Sequence, residues 1–253
     1  MTRVRNPIVF LVAAVVSWEL IPSALAIPPY IIPTFSSTTH ALLDNLGLIA
    51  YHSLSTLSGI GAGFTLAVAI GISLGVAIAL WREFRETIYP FLVMLYSTPK
   101  IALVPIIIIW MGYGPTPEIA VVMLASFFPV LVNTIVGFDN IQPELIELVR
   151  TMTGDRLKEV VKVRLPYSVP HILAGLKVGI TQAVIGKIVA EFVIGQSGLG
   201  FMMIRAQSTL NTPVVFATLL MLVILALTLY LLMIGVERML TRWRTASETV
   251  LTQ

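Results

Sequence analysis

Few residues in this chain have the type and spacing that catalysis requires. The three histidines, His40, His52 and His171, lie far apart, and none has the spacing of a metal ligand set. There is no cysteine, which excludes disulfides, iron–sulfur clusters and thiolate metal sites. We find no paired carboxylates and no Ser/His set for acid–base or nucleophilic chemistry. The sequence therefore predicts no catalytic residues and no metal site.

A nucleotide-binding loop is also not expected. The phosphate-cradling pattern is GxxxxGK[ST], and the nearest candidate is Gly186-Lys187-Ile188. Thr181 stands where the pattern needs its first glycine, and Ile188 stands where it needs Ser or Thr. No cofactor is expected in this chain, so its energy must come from another subunit or from an ion gradient.

The composition is that of a membrane protein. Of the 253 residues, 57% are hydrophobic and 11% are charged, and the mean hydropathy is +0.93. Soluble domains have about 45–50% apolar and about 25% charged residues. A soluble protein of this size would need more charge for its surface. The net charge of +3 is not that of a nucleic-acid-binding protein, and no nucleic-acid partner is expected.

Six apolar stretches are long enough to cross a bilayer, which takes about 20 helical residues. They lie at about 7–28, 54–80, 88–113, 117–137, 170–194 and 213–236. The third is interrupted by Pro99-Lys100 and Pro105, so we expect its helix to break there. The first also looks like a signal peptide, but its length and the presence of Glu19 favour a retained span.

The basic residues fall mainly on one side of this six-span arrangement. Most of the 16 Lys and Arg residues precede the first span or follow the second, fourth and sixth, whereas the opposite loops hold only Arg205. Such an excess marks the cytoplasmic side of a membrane. We therefore expect both termini in the cytoplasm and residues 29–53 outside. In that outer segment, Ala41 to Tyr51 could form a short helix on the membrane surface.

Glycines crowd the second span. They are Gly59, Gly61, Gly63, Gly71 and Gly75, and the last two have GxxxG spacing. Lipid supplies no hydrophobic drive for helix association, so small residues promote packing by allowing close approach. The sequence predicts tight packing of this helix on a partner that it does not identify.

Polar residues inside the spans are candidates for a translocation pathway, because a charge in the bilayer usually faces a cavity or a partner. Lys100, at the expected helix break, would suit an anionic solute; the alternatives are pairing with Glu191 or snorkelling. Lys187 and Glu191 have i, i+4 spacing, which favours a structural ion pair over a substrate site. Gln182 is a further pathway candidate, and Lys177 is expected to snorkel.

One segment between the fourth and fifth spans is densely charged, reading MTGDRLKEVVKVRLPYSVP over residues 152–170. Two apolar stripes of helical spacing run through this region, formed by Leu145, Leu148, Val149 and Met152, and by Leu157, Val160, Val161 and Leu165. Pro143 should begin the first helix, and Thr153-Gly154 should break it. Asp155 should cap the second helix, and Pro166 should end it.

The segment is therefore predicted to form two short amphipathic cytoplasmic helices, with apolar faces resting on the ends of the membrane helices. Their charged faces could meet water, anionic lipid or a partner protein. Each Lys or Arg near an anionic surface is worth about 1 kcal/mol. Acidic Glu147, Asp155 and Glu159 lie beside the cations, and this mixed sign favours a specific protein partner.

The same segment resembles the EAA loop of ABC importer permeases. That motif reads Glu-Ala-Ala, three residues, Gly, nine residues and Ile-x-Leu-Pro. Counting back from Pro166, Val163 falls on the Ile, Thr153 on the Gly and Glu147 on the Glu. The departures are Leu148-Val149 for the two alanines and Thr153 for the glycine, with Gly154 one residue late.

Three other segments resemble the sulfonate, taurine, nitrate and pyrimidine-precursor branch of these permeases. They are Trp18-Glu19, Pro99-Lys-Ile-Ala-Leu-Val-Pro105 and Gly195-Gln-Ser-Gly-Leu-Gly200. The resemblance covers about residues 8–244. It implies an all-α, polytopic membrane protein with six transmembrane helices, the type I ABC importer permease fold and a cytoplasmic helix–turn–helix coupling loop.

The resemblance further implies one permease domain over residues 1–253, with core spans at about 54–236, an extra N-terminal span at about 7–28 and the coupling loop at about 140–167. The place would be the bacterial cytoplasmic (inner) membrane. The partners would be membrane lipid, a second copy of the chain, an extracytoplasmic substrate-binding protein and two ATP-binding cassette subunits that bind ATP and Mg. The residues that couple to the ATPase would be Glu147, Arg150, Thr153, Gly154, Asp155, Arg156, Lys158, Leu165 and Pro166.

Two other function classes are alternatives to the importer. An ion-coupled carrier working without an ATPase has the same span pattern, and only energy coupling separates it from the importer. An integral-membrane enzyme is disfavoured by the lack of a catalytic set. The solute is expected to be small and polar or anionic; sulfonate, taurine, nitrate, bicarbonate and pyrimidine-like compounds are all compatible with the sequence.

Overall fold

The computed structural model of the chain describes residues 2–153 and 156–241, and every regular element within them is a helix. The helices are α1 (Thr2–Ala24), α2 (Phe35–Asp44), α3 (Leu46–Leu80), α4 (Arg82–Ser97), α5 (Val104–Met111), α6 (Pro115–Asp139), α7 (Pro143–Thr153), α8 (Arg156–Glu159), α9 (Leu165–Ile194), α10 (Leu199–Ser208) and α11 (Thr212–Leu240). A 3-10 turn, Lys100–Leu103, precedes α5, and a π-helical turn, Val160–Arg164, joins α8 to α9. The predicted all-α class is confirmed.

Four helices in the described residues are long and apolar enough to cross a membrane. They are α3, α6, α9 together with its π-helical turn, and α11. The first predicted span corresponds to α1 (Thr2–Ala24), in which the residues with described side chains form an apolar helical stretch, Val9–Ala24. The third is divided between α4, the 3-10 turn and α5. The full count of six spans therefore stays a prediction.

The break in the third span falls at Pro99, as expected. Thr98 is extended, with ψ at 131°, which is the conformation that a residue before proline prefers. The expected interruption at Pro105 is wrong. This proline occupies the first turn of α5, where its missing N–H costs no helical hydrogen bond.

The predicted surface helix at 41–51 is also wrong in its bounds. Its first residues belong to α2, which begins earlier because the Thr34 hydroxyl accepts a hydrogen bond from the Ser37 N–H at 3.2 Å. Asn45, with φ at −109°, separates α2 from α3. The second span starts at Leu46, well before the predicted residue 54. The first turns of this helix contain buried polar residues, so the helix extends beyond the apolar run that the sequence shows.

The chain forms two compact units, Met1–Leu57 with Gly195–Leu225, and Ser58–Ile194 with Ala226–Gln253. In the second unit, glycines allow α6 and α9 to pack at close range. A Cβ at Gly175 would lie 2.7 Å from the Cβ of Asn133, and one at Gly186 would lie 2.7 Å from the Cβ of Ala125. Side chains larger than hydrogen would force this pair of helices apart.

The glycine-rich α3 packs on α6. A Cβ at Gly71 would lie 3.1 Å from Cγ1 of Val130, and one at Gly75 would lie 2.8 Å from the Cβ of Thr134. The predicted close packing of the GxxxG pair is confirmed, and its partner is α6. With α9 on the same helix, α6 is the centre of this unit.

In the first unit, the loop between α9 and α10 is fixed to α3 by hydrogen bonds. Nδ1 of His52 accepts from the N–H of Gly198 at 3.0 Å, and the Thr56 hydroxyl accepts from the N–H of Leu199 at 2.9 Å. Gly198 has a φ of 103°, which strongly favours glycine. These bonds satisfy the first amides of α10.

Glu19 joins α1 to α2 within this unit. Its two carboxylate oxygens accept hydrogen bonds from the N–H and the hydroxyl of Ser36, both at 2.8 Å. A carboxylate at a helix N-terminus is favoured by the helix dipole. The expectation that Glu19 contacts a neighbouring helix is confirmed.

Candidate functional site

The first helix of the charged segment forms as predicted, from Pro143 to Thr153, and its apolar face is only partly covered by other described residues. Val149 is half-buried, but the side chain of Leu148 is 55% exposed and that of Met152 is 76% exposed. The expectation that this face rests on the ends of the membrane helices is therefore wrong for Leu148 and Met152. The structure instead presents an apolar stripe at the surface.

The second helix of the segment does not end at Pro166. The Leu165 N–H donates to the carbonyl of Val160, five residues earlier, and this π-type bond carries the chain past a proline that has no N–H to donate. The helical path runs without a break from Arg156 through α8 and the π turn into α9. The prediction that Pro166 stops the helix is wrong, because a π turn absorbs the proline.

A buried carboxylate joins the two parts of the segment. Glu159, only 1% exposed, accepts a hydrogen bond at Oε2 from Nε of Arg150 at 2.8 Å and another at Oε1 from Nε of Arg164 at 2.7 Å. Burial alone would raise the pKa of this carboxyl, but the two guanidinium groups outweigh it and hold the pKa below its ordinary value. The carboxylate therefore stays ionised at neutral pH and ties α7 to the base of α9.

The sequence interpretation did not single out Glu159 as a site residue. Its partners lie nine residues before it and five after it, and neither spacing belongs to an intrahelical ion pair. Periodicity therefore gave no signal. The only hint was an acidic residue within a cationic run.

The other predicted coupling residues lie outside this contact between Glu159 and the two arginines. Glu147, Lys158 and Leu165 are exposed, and Pro166 is half-buried. The backbone carbonyl of Glu147 accepts a hydrogen bond from the Thr151 hydroxyl at 3.1 Å. Gly154 and Asp155, and the side chains of Thr153 and Arg156, lie outside the described residues, so their predicted roles stay predictions.

A second charged cluster lies deep in the unit formed by α3, α6 and α9. The ammonium of Lys187, whose side chain is 3% exposed, donates to a carboxylate oxygen of Glu118 and lies 3.3 Å from Oε1 of Glu191. The predicted pair of Lys187 and Glu191 is confirmed. A Cβ at Gly59 would lie 2.6 Å from Cε of Lys187, so this glycine makes room for the lysine stem.

Glu118 was missed by the sequence interpretation, although it lies at the start of a predicted span. It occupies the first turn of α6, where the helix dipole favours a carboxylate. Its distance of 69 residues from Lys187 along the chain left no pattern to find. The cluster holds two carboxylates and one ammonium, and it ties α6 to α9.

The residues predicted to line a translocation pathway lie in different environments. Glu191 lies fully buried in the ion cluster, and its role in a pathway stays a prediction, as does that of half-buried Gln182. Lys100 opens the 3-10 turn at the break, but its side chain lies outside the described residues. Lys177 was expected to snorkel; it donates instead to both carboxylate oxygens of Glu237 on α11, each at 2.8 Å.

Comparison with known proteins identifies the family. Residues 67–245 match the model of the binding-protein-dependent transport system inner membrane component. The chain is 34% identical to the riboflavin transport system permease protein RibX of Chloroflexus aurantiacus, over 93% of this chain and 88% of that protein. It is 31% identical to the formylaminopyrimidine transport permease protein ThiX of Halalkalibacterium halodurans, over 94% of this chain and 96% of that protein.

A solved structure agrees with the sequence relatives. A chain of the MetNI methionine ABC transporter, in inward-facing conformations, superposes with a TM-score of 0.69 at 20% identity, over 78% of this chain and 97% of that chain. At this identity the likeness shows the fold alone. With the family match and the apolar helices, it leads to one conclusion: the chain belongs to the ABC transporter permeases, the inner-membrane components of binding-protein-dependent transport systems, and has their type I permease fold.

Proposed function

We propose that this chain is the membrane-spanning subunit of an ATP-driven importer. Two copies would form one pathway for a small polar or anionic solute that an extracytoplasmic binding protein delivers. Two ATP-binding cassette subunits, which bind ATP and Mg, would drive the switch between inward-open and outward-open states. The family membership and the permease fold support this function.

The single observation that carries the proposal is the uncovered apolar stripe of α7. Exposed apolar surface costs about 25 cal/mol per Å² relative to burial, so a partner that covers Leu148 and Met152 gains binding energy. An amphipathic helix that lays its apolar face into a groove is a common recognition mode. We assign the groove to the ATPase subunit.

The charge asymmetry supports the orientation that this contact requires. The segment from Arg150 to Arg164 belongs to the Lys- and Arg-rich side of the chain, which is the side expected in the cytoplasm. ATP is available on that side. Both termini would lie there as well.

For the solute, we place planar nitrogen heterocycles ahead of sulfonates. The two named relatives that exceed 30% identity over nine-tenths of this chain carry riboflavin and formylaminopyrimidine in their names. The Escherichia coli taurine permease TauC is 29% identical over 89% of this chain. Thermal-shift titration of the binding protein that copurifies with the complex, using riboflavin, a formylaminopyrimidine and taurine, tests this order. Stabilisation by taurine alone would reverse it.

The function itself is tested by purification and reconstitution. We expect an ATPase subunit to copurify with the chain, and uptake into liposomes to stop when ATP hydrolysis is blocked. Uptake by the purified chain alone, driven by a proton or sodium gradient, would instead support the ion-coupled carrier.

Glu147→Lys tests the role of the predicted motif glutamate. This carboxylate is exposed on α7, and reversing its charge should weaken ATPase binding and abolish transport while the protein still inserts. Glu83→Lys makes the same change on exposed Glu83 of α4 and serves as the matched control. Unchanged copurification of the ATPase with Glu147→Lys would refute the assigned role.

A further inference from the structure

The Glu159 cluster, defined as Glu159 with Arg150 and Arg164, has a geometry that suits the transmission of force. Arg150 lies on α7, which carries the exposed stripe, and Arg164 lies on the π turn directly before α9. Glu159 uses one carboxylate oxygen for each arginine. Movement of α7 is therefore passed to the base of a membrane-spanning helix through two charge-assisted hydrogen bonds, which are stronger than neutral ones.

The three side chains differ sharply in exposure. Glu159 is buried and Arg164 is mostly buried, whereas Arg150 is 58% exposed. A guanidinium group has five N–H donors in a rigid fork, and the bond to Glu159 uses only the one on Nε. The exposed part of Arg150 is held in one orientation by a carboxylate beneath it.

The exposed part of Arg150 and the apolar stripe belong to the same helix. Leu148 and Met152 lie two residues before and two residues after Arg150, so the arginine is on the opposite side of α7 from the stripe. A partner that covers the stripe therefore leaves the contact between Arg150 and Glu159 in place.

We propose that Glu159 is a positioning residue that joins α7 rigidly to α9 through its bonds to Arg150 and Arg164. The inference rests on the proposed function and names a determinant of its energy coupling. Closure of the ATPase would move α7, and the Glu159 cluster would convert that movement into displacement of α9.

The test uses the complete complex in liposomes and compares Glu159→Gln with wild type. Glutamine keeps the size but removes the charge that orients both guanidinium groups. We expect about a tenfold fall in solute transported per ATP hydrolysed, the effect of losing a charge-assisted hydrogen bond. ATPase activity should continue. Lys162→Gln removes one exposed charge from the same π turn and should keep the wild-type ratio.

Arg150→Gln keeps the hypothesis testable if Glu159→Gln fails to fold. It leaves Glu159 paired with Arg164, so the thermal midpoint should change little while the transport ratio falls. Wild-type coupling in Arg150→Gln would overturn the inference. So would an equal fall of ATPase activity and transport that follows protein stability in both variants.

Two further outcomes separate this inference from its alternatives. If the wild-type complex lacks ATP-driven uptake, the proposed function fails. If the wild-type complex is coupled and both variants match it, only the inference fails.

Reconstitution in phosphatidylcholine, with and without phosphatidylglycerol, tests an anionic headgroup as the partner of Arg150. A variant effect that appears only with phosphatidylglycerol would assign Arg150 to lipid and overturn the role of the Glu159 cluster in coupling.

Discussion

Lys187 illustrates, at the scale of single residues, how a charge is held inside a membrane-spanning helix. Its ammonium lies between Glu118 on α6 and Glu191 on its own helix, and all three side chains are buried. A buried ion pair gains little over an apolar substitute, but removing one partner leaves an uncompensated charge. The cluster thus makes the association of α6 with α9 depend on three side chains at once.

Lys187→Met should destabilise the protein by about 3–5 kcal/mol, because it leaves two carboxylates buried without their cation. The measurement is the thermal midpoint of the purified protein in detergent. Lys177→Met is the control: its pair with Glu237 is more accessible to solvent, so the loss should be smaller. Equal losses for the two variants would contradict the assigned burial effect.

Glu159 also predicts a pH dependence. Its pKa lies below the ordinary value of 4.5, so its ion pairs stabilise the fold fully above that pH and lose their effect as the pH falls through the lowered pKa. The difference in unfolding midpoint between wild type and Glu159→Gln should be constant from about pH 5 upward and shrink in more acidic buffer. A difference that grows on acidification would show the opposite sign of linkage.

At the scale of elements, α3 depends on close approach to α6 at some glycines and not at others. A Cβ at Gly63 would lie 2.6 Å from the Cβ of Val122 and 2.9 Å from the carbonyl oxygen of Ile119, a backbone atom that cannot easily move. At Gly61, on the same helix, a Cβ would meet no described atom within 4 Å. The two positions form a matched pair.

Gly63→Ala should therefore destabilise the protein by about 1–3 kcal/mol through overpacking of the α3–α6 contact. Gly61→Ala should cause no loss, because alanine fits there and is the better helix former. Thermal midpoints of the two variants in the same detergent test the contrast. Similar losses at both positions would place the α3–α6 contact elsewhere.

The segment around Pro166 shows why element boundaries were only partly predictable. Pro143 marked the start of α7 correctly, because a proline in the first helical turn costs no hydrogen bond. The sequence predicts a helix end at Pro166 for the opposite reason, because an interior proline removes a helical hydrogen bond. The π turn ending at Arg164 removes that conflict, and its formation depends on how α8 continues into α9 rather than on local propensity.

At the scale of the whole molecule, the proposed ATPase contact predicts different fates for two equally exposed methionines. Met152 on α7 and Met239 near the end of α11 are both 76% exposed. Met152→Glu should lower ATPase copurification about tenfold, because it places a charge in an apolar interface. Met239→Glu should leave the contact intact. Loss in both variants, or in neither, would argue against α7 as the docking helix.

The sequence by itself determined the membrane class, the all-helical fold and the positions of the main apolar helices. These follow from local physics, since a bilayer offers no partners for free backbone groups and spans must satisfy them within the helix. The spacing from Glu147 to Pro166 likewise identified the family, because the motif lies within one short segment. Tertiary structure alone decided that Gly75 packs on α6, that Glu118 meets Lys187 and that Glu159 binds two arginines. Such contacts depend on the rotation and depth of one helix against another, which the periodicity of a single helix does not specify.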